Sequence, residues 1–211
     1  MAPRIIYTYT PSCHVTKAAN TPDSPISIVA NNVAFSTNIP SQFQNGELQD
    51  FVNYLSSYRL RYALADTPLF FYPKQVCEFY YSCTYNEATR LITGTVADGS
   101  RRVTISSAGL RSALRLPLLE AFSDAPTDAK CKSLLPKLGY NEALQGNRPH
   151  LILRQCLPPA WKYLTGVIGK CLGHKKSSLH QLNSYELKIL YAIVYNKRTD
   201  YAQLFFDQLL I

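Results

Sequence analysis

Apolar positions along the chain repeat at helical spacing in several separate segments. The segment from about Glu47 to Ala65 carries one apolar stripe, at Leu48, Phe51, Val52, Leu55 and Tyr58. Residues three, four and seven positions apart share one face of a helix, so this spacing predicts an amphipathic helix. The remaining helices are predicted from Pro73, over about 106–114, over about 127–138, over 161–172, after Asn183 and from Tyr201 onward.

Local capping signals place several of these helix starts. Pro73 suits a first helical turn, because proline lacks the N–H that this turn leaves unused. Ser106 or Ser107 can cap a short helix that Leu116-Pro117 ends. Asn183 and Glu186 have the spacing of a capping box, in which each side chain bonds the other residue's backbone N–H.

The clearest local signal of β structure is a hairpin. Two β-branched runs, Leu91–Val96 and Arg101–Ile105, flank an Asp98-Gly99 pair, and Asp-Gly between such runs is typical of a tight hairpin turn. We therefore expect an α+β fold that is predominantly helical and contains a small antiparallel β-hairpin.

The domain organisation follows from the prolines and from the end of the apolar pattern. Residues 1–25 contain Pro3, Pro11, Pro22 and Pro25 and are predicted to be an irregular N-terminal segment. A short extended segment is expected over about 26–35, and residues 26–211 are expected to form a single mostly helical domain. The apolar pattern runs to Ile211 without a polar tail, which favours truncation at the C-terminus; a last helix docked into the core is the alternative.

Cysteine usage and hydropathy indicate the compartment. The six cysteines are scattered and no secretory leader precedes them, which favours free thiols in a reducing environment. No stretch approaches the ~20 apolar residues of a membrane span. We expect an intracellular protein without a membrane partner, and the sequence leaves the nucleus and the cytoplasm both open.

The charge balance is basic, with 22 Lys and Arg against 14 Asp and Glu and a net charge of +8. Such a surface attracts polyanions, so nucleic acid is a candidate partner. The candidate nucleic-acid-binding residues occur in clusters: Arg101, Arg102, Arg111, Arg115, Lys170, Lys175, Lys176, Lys197 and Arg198. Arg111 and Arg115 are predicted to share a helix face four residues apart. The alternative is that these side chains form an ordinary solvated face.

Catalytic and metal-binding patterns are incomplete in this sequence. Cys171, His174 and His180 would need a distant fourth zinc ligand such as Cys156. Gly169-Lys170 resembles the end of a phosphate-binding loop, but Leu164 and Cys171 stand where that loop needs Gly and Ser or Thr. Its Ile-Gly context also resembles a KH-type RNA clamp, with the second glycine one residue late. We therefore predict no metal, no cofactor and no enzymatic activity.

Several segments resemble the plant transposon protein domain, which occurs in transposon- and retrotransposon-derived open reading frames. They are Val76-x-x-Phe79-Tyr80, Gly94-Thr95-Val96, Val103-Thr104-Ile105-Ser106, Leu110-x-x-x-Leu114-x-Leu116-Pro117 and the paired helices from Glu186 to Phe205. The resemblance covers roughly residues 70–211 and implies a mobile-element origin. It brings no catalytic residues, and members of the family often continue beyond this point.

These observations favour a noncatalytic domain of a plant mobile-element-derived protein that acts through a protein partner or through self-association. A basic nucleic-acid-binding module is the second interpretation. The third is a fragment of a transposition enzyme whose active site lies in a missing segment.

Overall fold

The computed structural model describes residues 46–65, 72–148, 150–172 and 180–210. Among them, residues 72–116 and 201–210 form one compact unit, and residues 46–65 and 117–200 form a second. The predicted single domain over 26–211 spans both units and stays a prediction. The predicted irregular segment over 1–25 and extended segment over 26–35 lie outside the described residues.

The described elements are mostly helical, as predicted. The α-helices are α1 (Gly46–Ser57), α2 (Arg61–Ala65), α3 (Pro73–Ser82), α4 (Ser107–Ala113), α5 (Asp128–Lys132), α6 (Pro159–Cys171), α7 (Ser184–Val194) and α8 (Tyr201–Leu209). The strands are β1 (Thr84–Asn86), β2 (Leu91–Val96), β3 (Arg101–Ile105), β4 (Ile152–Leu153) and β5 (Gln181–Leu182). The α+β prediction is confirmed.

The first unit contains an antiparallel sheet with strand order β1-β2-β3. The predicted hairpin is confirmed, since β2 and β3 pair across the Asp98-Gly99 turn. Asp98 and Gly99 have φ of 55° and 85°, and the Ser100 N–H donates to the Ala97 carbonyl at 3.1 Å. Ala97 also has a positive φ, of 55°. Positive φ at the two central residues of the turn, Asp98 and Gly99, matches the right-handed twist of the strands, which explains the Asp-Gly choice. The short strand β1 extends the hairpin and was not predicted.

One face of this sheet is covered by α3. Ile92, Gly94 and Val96 alternate as the buried positions of β2. A Cβ at Gly94 would lie 2.8 Å from the Phe79 ring and 2.9 Å from the Phe79 carbonyl oxygen. Glycine at this position therefore lets α3 approach the strand closely. Helices α4 and α8 pack on each other in the same unit.

The second unit has α6 and α7 at its centre. Their facing side chains are almost fully buried: Leu164, Ile168, Ile189, Leu190 and Ile193. Leu55 and Leu60 add buried apolar surface from the region of α1 and α2. Strands β4 and β5 form a two-stranded antiparallel sheet. The capping box at the start of α7 is confirmed in both directions, from Asn183 to Glu186 and back.

Two predicted helices are shorter than expected. The helix predicted over 47–65 breaks after Ser57, where the Tyr58 N–H donates to the Leu55 carbonyl in a tightened last turn and the Ser57 hydroxyl bonds the Tyr54 carbonyl. The helix predicted over 127–138 ends at Lys132, because Pro136 has no N–H to continue the ladder. A single 3-10 turn, Pro136–Leu138, follows.

The described helices are also too short for a bilayer. The longest helix, α6, has 13 residues, and no described helix has the length and apolar character needed to traverse a membrane.

Candidate nucleic-acid interface

The C-terminal end of α7 forms a reverse turn that presents basic side chains. Tyr195 is the C-cap residue, and Asn196 follows in the left-handed conformation with φ of 45°. The Lys197 N–H donates to the Ala192 carbonyl at 2.9 Å and the Asn196 N–H to the Ile193 carbonyl at 3.2 Å. This pair of bonds is a Schellman motif, in which asparagine is the common substitute for glycine. The turn leaves Lys197 and Arg198 exposed.

Arg59 joins this turn from the segment between α1 and α2. Its guanidinium donates to the Lys197 carbonyl at 3.1 Å and to Asn196 Oδ1 at 3.4 Å. Tyr54 of α1 and Tyr58, which precedes Arg59, anchor this region: the Tyr54 hydroxyl donates to the Ile193 carbonyl at 3.0 Å and the Tyr58 hydroxyl to the Ala192 carbonyl at 3.1 Å. These bonds give each of the two carbonyls a second donor beside the backbone N–H groups of the turn.

Lys137 reaches the same helix end from the 3-10 turn that follows α5. Its ammonium donates to the Tyr195 hydroxyl at 3.3 Å and lies 5.8 Å from the centroid of that ring, so it is placed at the hydroxyl end of the ring. The rings of Tyr191 and Tyr195 are 4.7 Å apart. Tyr54 and Tyr195 remain 40% and 39% exposed, so aromatic surface is presented among the cations.

We name these residues the cation–tyrosine cluster: Arg59, Lys137, Lys197, Arg198, Tyr54 and Tyr195. None of its four cations forms a salt bridge with a described residue, whereas Arg90 and Lys188 pair with Asp207 and Asp128. The C-terminal end of a helix carries a partial negative charge, which favours cations there. Burial raises the pKa of the Tyr54 hydroxyl, and the Arg59 charge opposes this shift. Tyr54 therefore stays a neutral donor at ordinary pH.

Four of the predicted binding residues, Arg101, Arg102, Arg111 and Arg115, belong to the first unit and are not part of this cluster. Arg101 and Arg102 are exposed on β3, and Arg111 is half-buried in α4. The prediction that Arg111 and Arg115 share a helix face is wrong, because α4 ends at Ala113. Arg115 lies beyond the helix with φ of 51°, at the left-handed position of a second Schellman motif whose Leu116 N–H donates to the Arg111 carbonyl at 2.9 Å.

Of the predicted residues in the second unit, only Lys197 and Arg198 have described side chains. Lys170 lies in the last turn of α6, and Lys175 and Lys176 lie outside the described residues. Arg59 and Lys137 were missed, because they are 138 and 58 residues from their hydrogen-bond partners. The one local feature of the sequence that accompanies Arg59 is the pair of tyrosines before it, Tyr54 and Tyr58, which are four residues apart.

Gly169, noted for its phosphate-loop and RNA-clamp contexts, has a packing role. A Cβ at this position would lie 2.7 Å from Glu186 Oε1 and 2.8 Å from Arg154 Nη2. Those two atoms form an ion pair at 3.6 Å, with side chains 0% and 6% exposed. Burial lowers the pKa of Arg154, and the Glu186 carboxylate opposes the shift. Arg154 Nε also donates to the Thr165 hydroxyl at 3.1 Å.

Within the described part of the chain, no group of three His, Cys, Asp or Glu side chains could hold a metal ion. Of the zinc ligands considered, Cys156 is buried, Cys171 is half-buried and His180 is exposed, and His174 lies outside the described residues.

Comparison with known proteins yields no relative: no family model, no curated protein and no solved structure matches this chain. The resemblance to the plant transposon protein domain stays a prediction.

Proposed function

We propose that this chain is a noncatalytic module that binds single-stranded nucleic acid through the cation–tyrosine cluster. The observation that carries the proposal is that Lys137 bonds the hydroxyl of the half-exposed Tyr195 while Arg59 bonds the next two residues of the same turn, and neither cation has a described carboxylate partner. Grooves that bind single strands combine cations along the backbone with aromatic rings on which bases stack.

The cluster has the two kinds of contact that a single strand requires. Arg59 uses two donors for the turn at the end of α7, and a guanidinium has five N–H groups, so donors remain for phosphate oxygens. Lys197 and Arg198 are exposed beside it. The Tyr54 ring is held by its hydroxyl bond to Ile193, and a ring held in place loses little side-chain entropy when a base stacks on it.

The first test is fluorescence anisotropy with a labelled single-stranded oligonucleotide and the full chain, with salt titrated upward. We expect affinity that falls steeply with salt, and Lys137→Ala should reduce the slope of log K against log salt by about 0.7, the contribution of one single-strand phosphate contact. Lys162→Ala is the matched control, because it removes an exposed lysine of the same unit from α6. Equal losses in both variants, or no binding at low salt, would overturn the proposal.

The aromatic contribution is separated by two substitutions at one position. Tyr195→Ala should weaken binding by about fivefold or more, since base stacking on an aromatic side chain contributes roughly 1–3 kcal/mol. Tyr195→Phe keeps the ring and loses the hydroxyl that accepts from Lys137, so it should retain most of the affinity. If the chain binds a duplex of the same length with the same affinity as the single strand, base stacking on the tyrosines does not contribute to binding.

The two remaining interpretations stay predictions. Protein or self-association would be detected as concentration-dependent assembly in sedimentation without nucleic acid. A transposition-enzyme fragment would be detected as metal-dependent strand cleavage.

A further inference from the structure

The register of the first unit's sheet places threonines on one face. Thr93 is paired with Thr84 on one side and with Thr104 on the other, and directly opposed residues of an antiparallel ladder point to the same face. Thr95 is paired with Arg102 in the adjoining row. These five residues, Thr84, Thr93, Thr95, Arg102 and Thr104, are named the threonine face; the pair Asn86 and Leu91 lies beside them on the same side of the sheet.

The opposite face of the sheet is its apolar side. Ile92, Gly94 and Ile105 are buried there, and Phe79 covers Gly94. Tyr85, the partner of Ile92 in the ladder, lies 6.4 Å from Phe206 between ring centroids. The aromatic side chain of these strands therefore belongs to the buried side.

The threonine face is accessible and carries charge of one sign. Thr84, Thr104 and Arg102 are exposed, and Thr93 and Thr95 are half-buried. The three strands contain neither Asp nor Glu, so no carboxylate of the sheet neutralises Arg102. Solvated strand faces usually mix both signs of charge. The Thr84 hydroxyl donates to the Thr93 carbonyl at 3.5 Å. The other threonine hydroxyls, beside a guanidinium that has no carboxylate partner among the described residues, are suited to an anionic ligand.

The charge on the edge strand β3 distinguishes between two candidate ligands of this sheet, a second copy of the chain and a nucleic acid. β3 is an outer strand of the sheet, and its Arg101 and Arg102 are exposed and form no salt bridge with a described residue. Positive charge on an edge strand opposes the addition of a second copy of the same strand. The same charge attracts a polyanion, so charge complementarity favours nucleic acid.

We infer that the threonine face binds the sugar–phosphate backbone of nucleic acid, as a second contact surface that rests on the proposed function. Threonine hydroxyls donate to phosphate oxygens and Arg102 supplies the charge-assisted bond. Because the face has no aromatic ring, the contact reads no base and contributes equally to all sequences.

The inference is tested by removing hydroxyls without changing side-chain shape. Thr93→Val with Thr104→Val keeps β-branched residues that favour strands, and we expect about tenfold weaker binding of the labelled single strand by the full chain. The salt slope should stay unchanged, because no charge is lost. Arg102→Gln should lower that slope by about 0.7. Thr89→Val, which removes an exposed hydroxyl from the loop between β1 and β2, should leave binding unchanged.

Two outcomes overturn the inference, and the first of them leaves the proposed function standing. If the chain binds and Tyr195→Ala weakens it, yet the threonine double variant and Arg102→Gln equal the wild type, the threonine face has no role and the cluster keeps its own. If the wild-type chain does not bind the labelled single strand, both the proposed function and this inference are wrong. Thr104→Ser retains the hydroxyl on the exposed edge strand, so it should keep wild-type affinity even if the double variant is unstable.

Discussion

Gly169 in α6 and Glu186 in α7 approach so closely that a Cβ on Gly169 would lie 2.7 Å from the Glu186 carboxylate oxygen. Gly169→Ala should lower the free energy of unfolding by about 2–3 kcal/mol, because the added methyl group must displace a buried ion pair. Neither partner can move freely, since Glu186 accepts from the Asn183 N–H at 3.0 Å and Arg154 donates to Thr165. Urea denaturation measures the change.

Gly166 of the same helix is the matched control. Apart from its chain neighbours and the nearby backbone of α6, no atom lies within 4 Å of a Cβ built on Gly166, so Gly166→Ala should raise stability by about 0.5–1 kcal/mol through helix propensity alone. Loss of stability in both variants would mean that α6 tolerates no alanine, and the steric account of Gly169 would be wrong.

The stability of the fold should depend on both charges of the buried Arg154–Glu186 ion pair. Glu186→Gln can still accept from the Asn183 N–H, as glutamine does in capping boxes, but it leaves the Arg154 charge without its carboxylate. We expect a loss of about 3 kcal/mol. Asp207→Asn disrupts the Arg90–Asp207 pair, whose side chains are 56% and 53% exposed, and should cost less than about 1 kcal/mol. Similar losses for the two variants would contradict the role of burial.

Arg115 occupies a backbone conformation that favours glycine. Its φ of 51° places a Cβ in a strained left-handed geometry. Arg115→Gly should be more stable than Arg115→Ala by about 1 kcal/mol, measured by thermal unfolding of both. Because the two variants lose the same side-chain interactions, their difference isolates the backbone, and equal stabilities would contradict the strain.

Alkaline pH should destabilise the fold through buried tyrosine. Burial, with a smaller contribution from the Glu186 charge, raises the pKa of Tyr185 above its ordinary 10.0, and burial raises the pKa of Tyr140 to about 12. The fold therefore favours the neutral phenols, so stability is fully present below pH 10.0 and declines above it.

Denaturation across this pH range tests the assignment. Tyr185→Phe should flatten the alkaline decline, while Tyr81→Phe, at a residue 49% exposed, should leave it unchanged. A decline that is identical in the wild type and in Tyr185→Phe would place its origin elsewhere.

Local chemistry made part of the fold predictable from sequence. The Asp98-Gly99 turn and the Asn183–Glu186 capping box involve residues within four positions of each other, and their backbone preferences suffice. The break after Ser57 was missed, because the apolar stripe continues through it while a tightened turn redirects the backbone.

The candidate site was less predictable, because only part of it depends on residues that are neighbours in the sequence. Lys197 and Arg198 stand out as neighbours in the sequence, and the turn at Asn196 exposes them. Arg59 and Lys137 join them only through packing of segments far apart in the chain. The burial of Glu186 likewise depends on the absence of a side chain at Gly169. This contact between two helices cannot be predicted from residue spacing within either helix.

The alternation of the two units along the chain has a consequence for synthesis and dissection. Among the described residues, the chain passes from the second unit to the first, back to the second, and again to the first. On the ribosome, the sheet and α4 emerge long before α8, the helix that packs on α4. No single cut yields either unit whole, so a fragment that ends at Asp200 would present the α4 surface that α8 normally covers to chaperones and proteases.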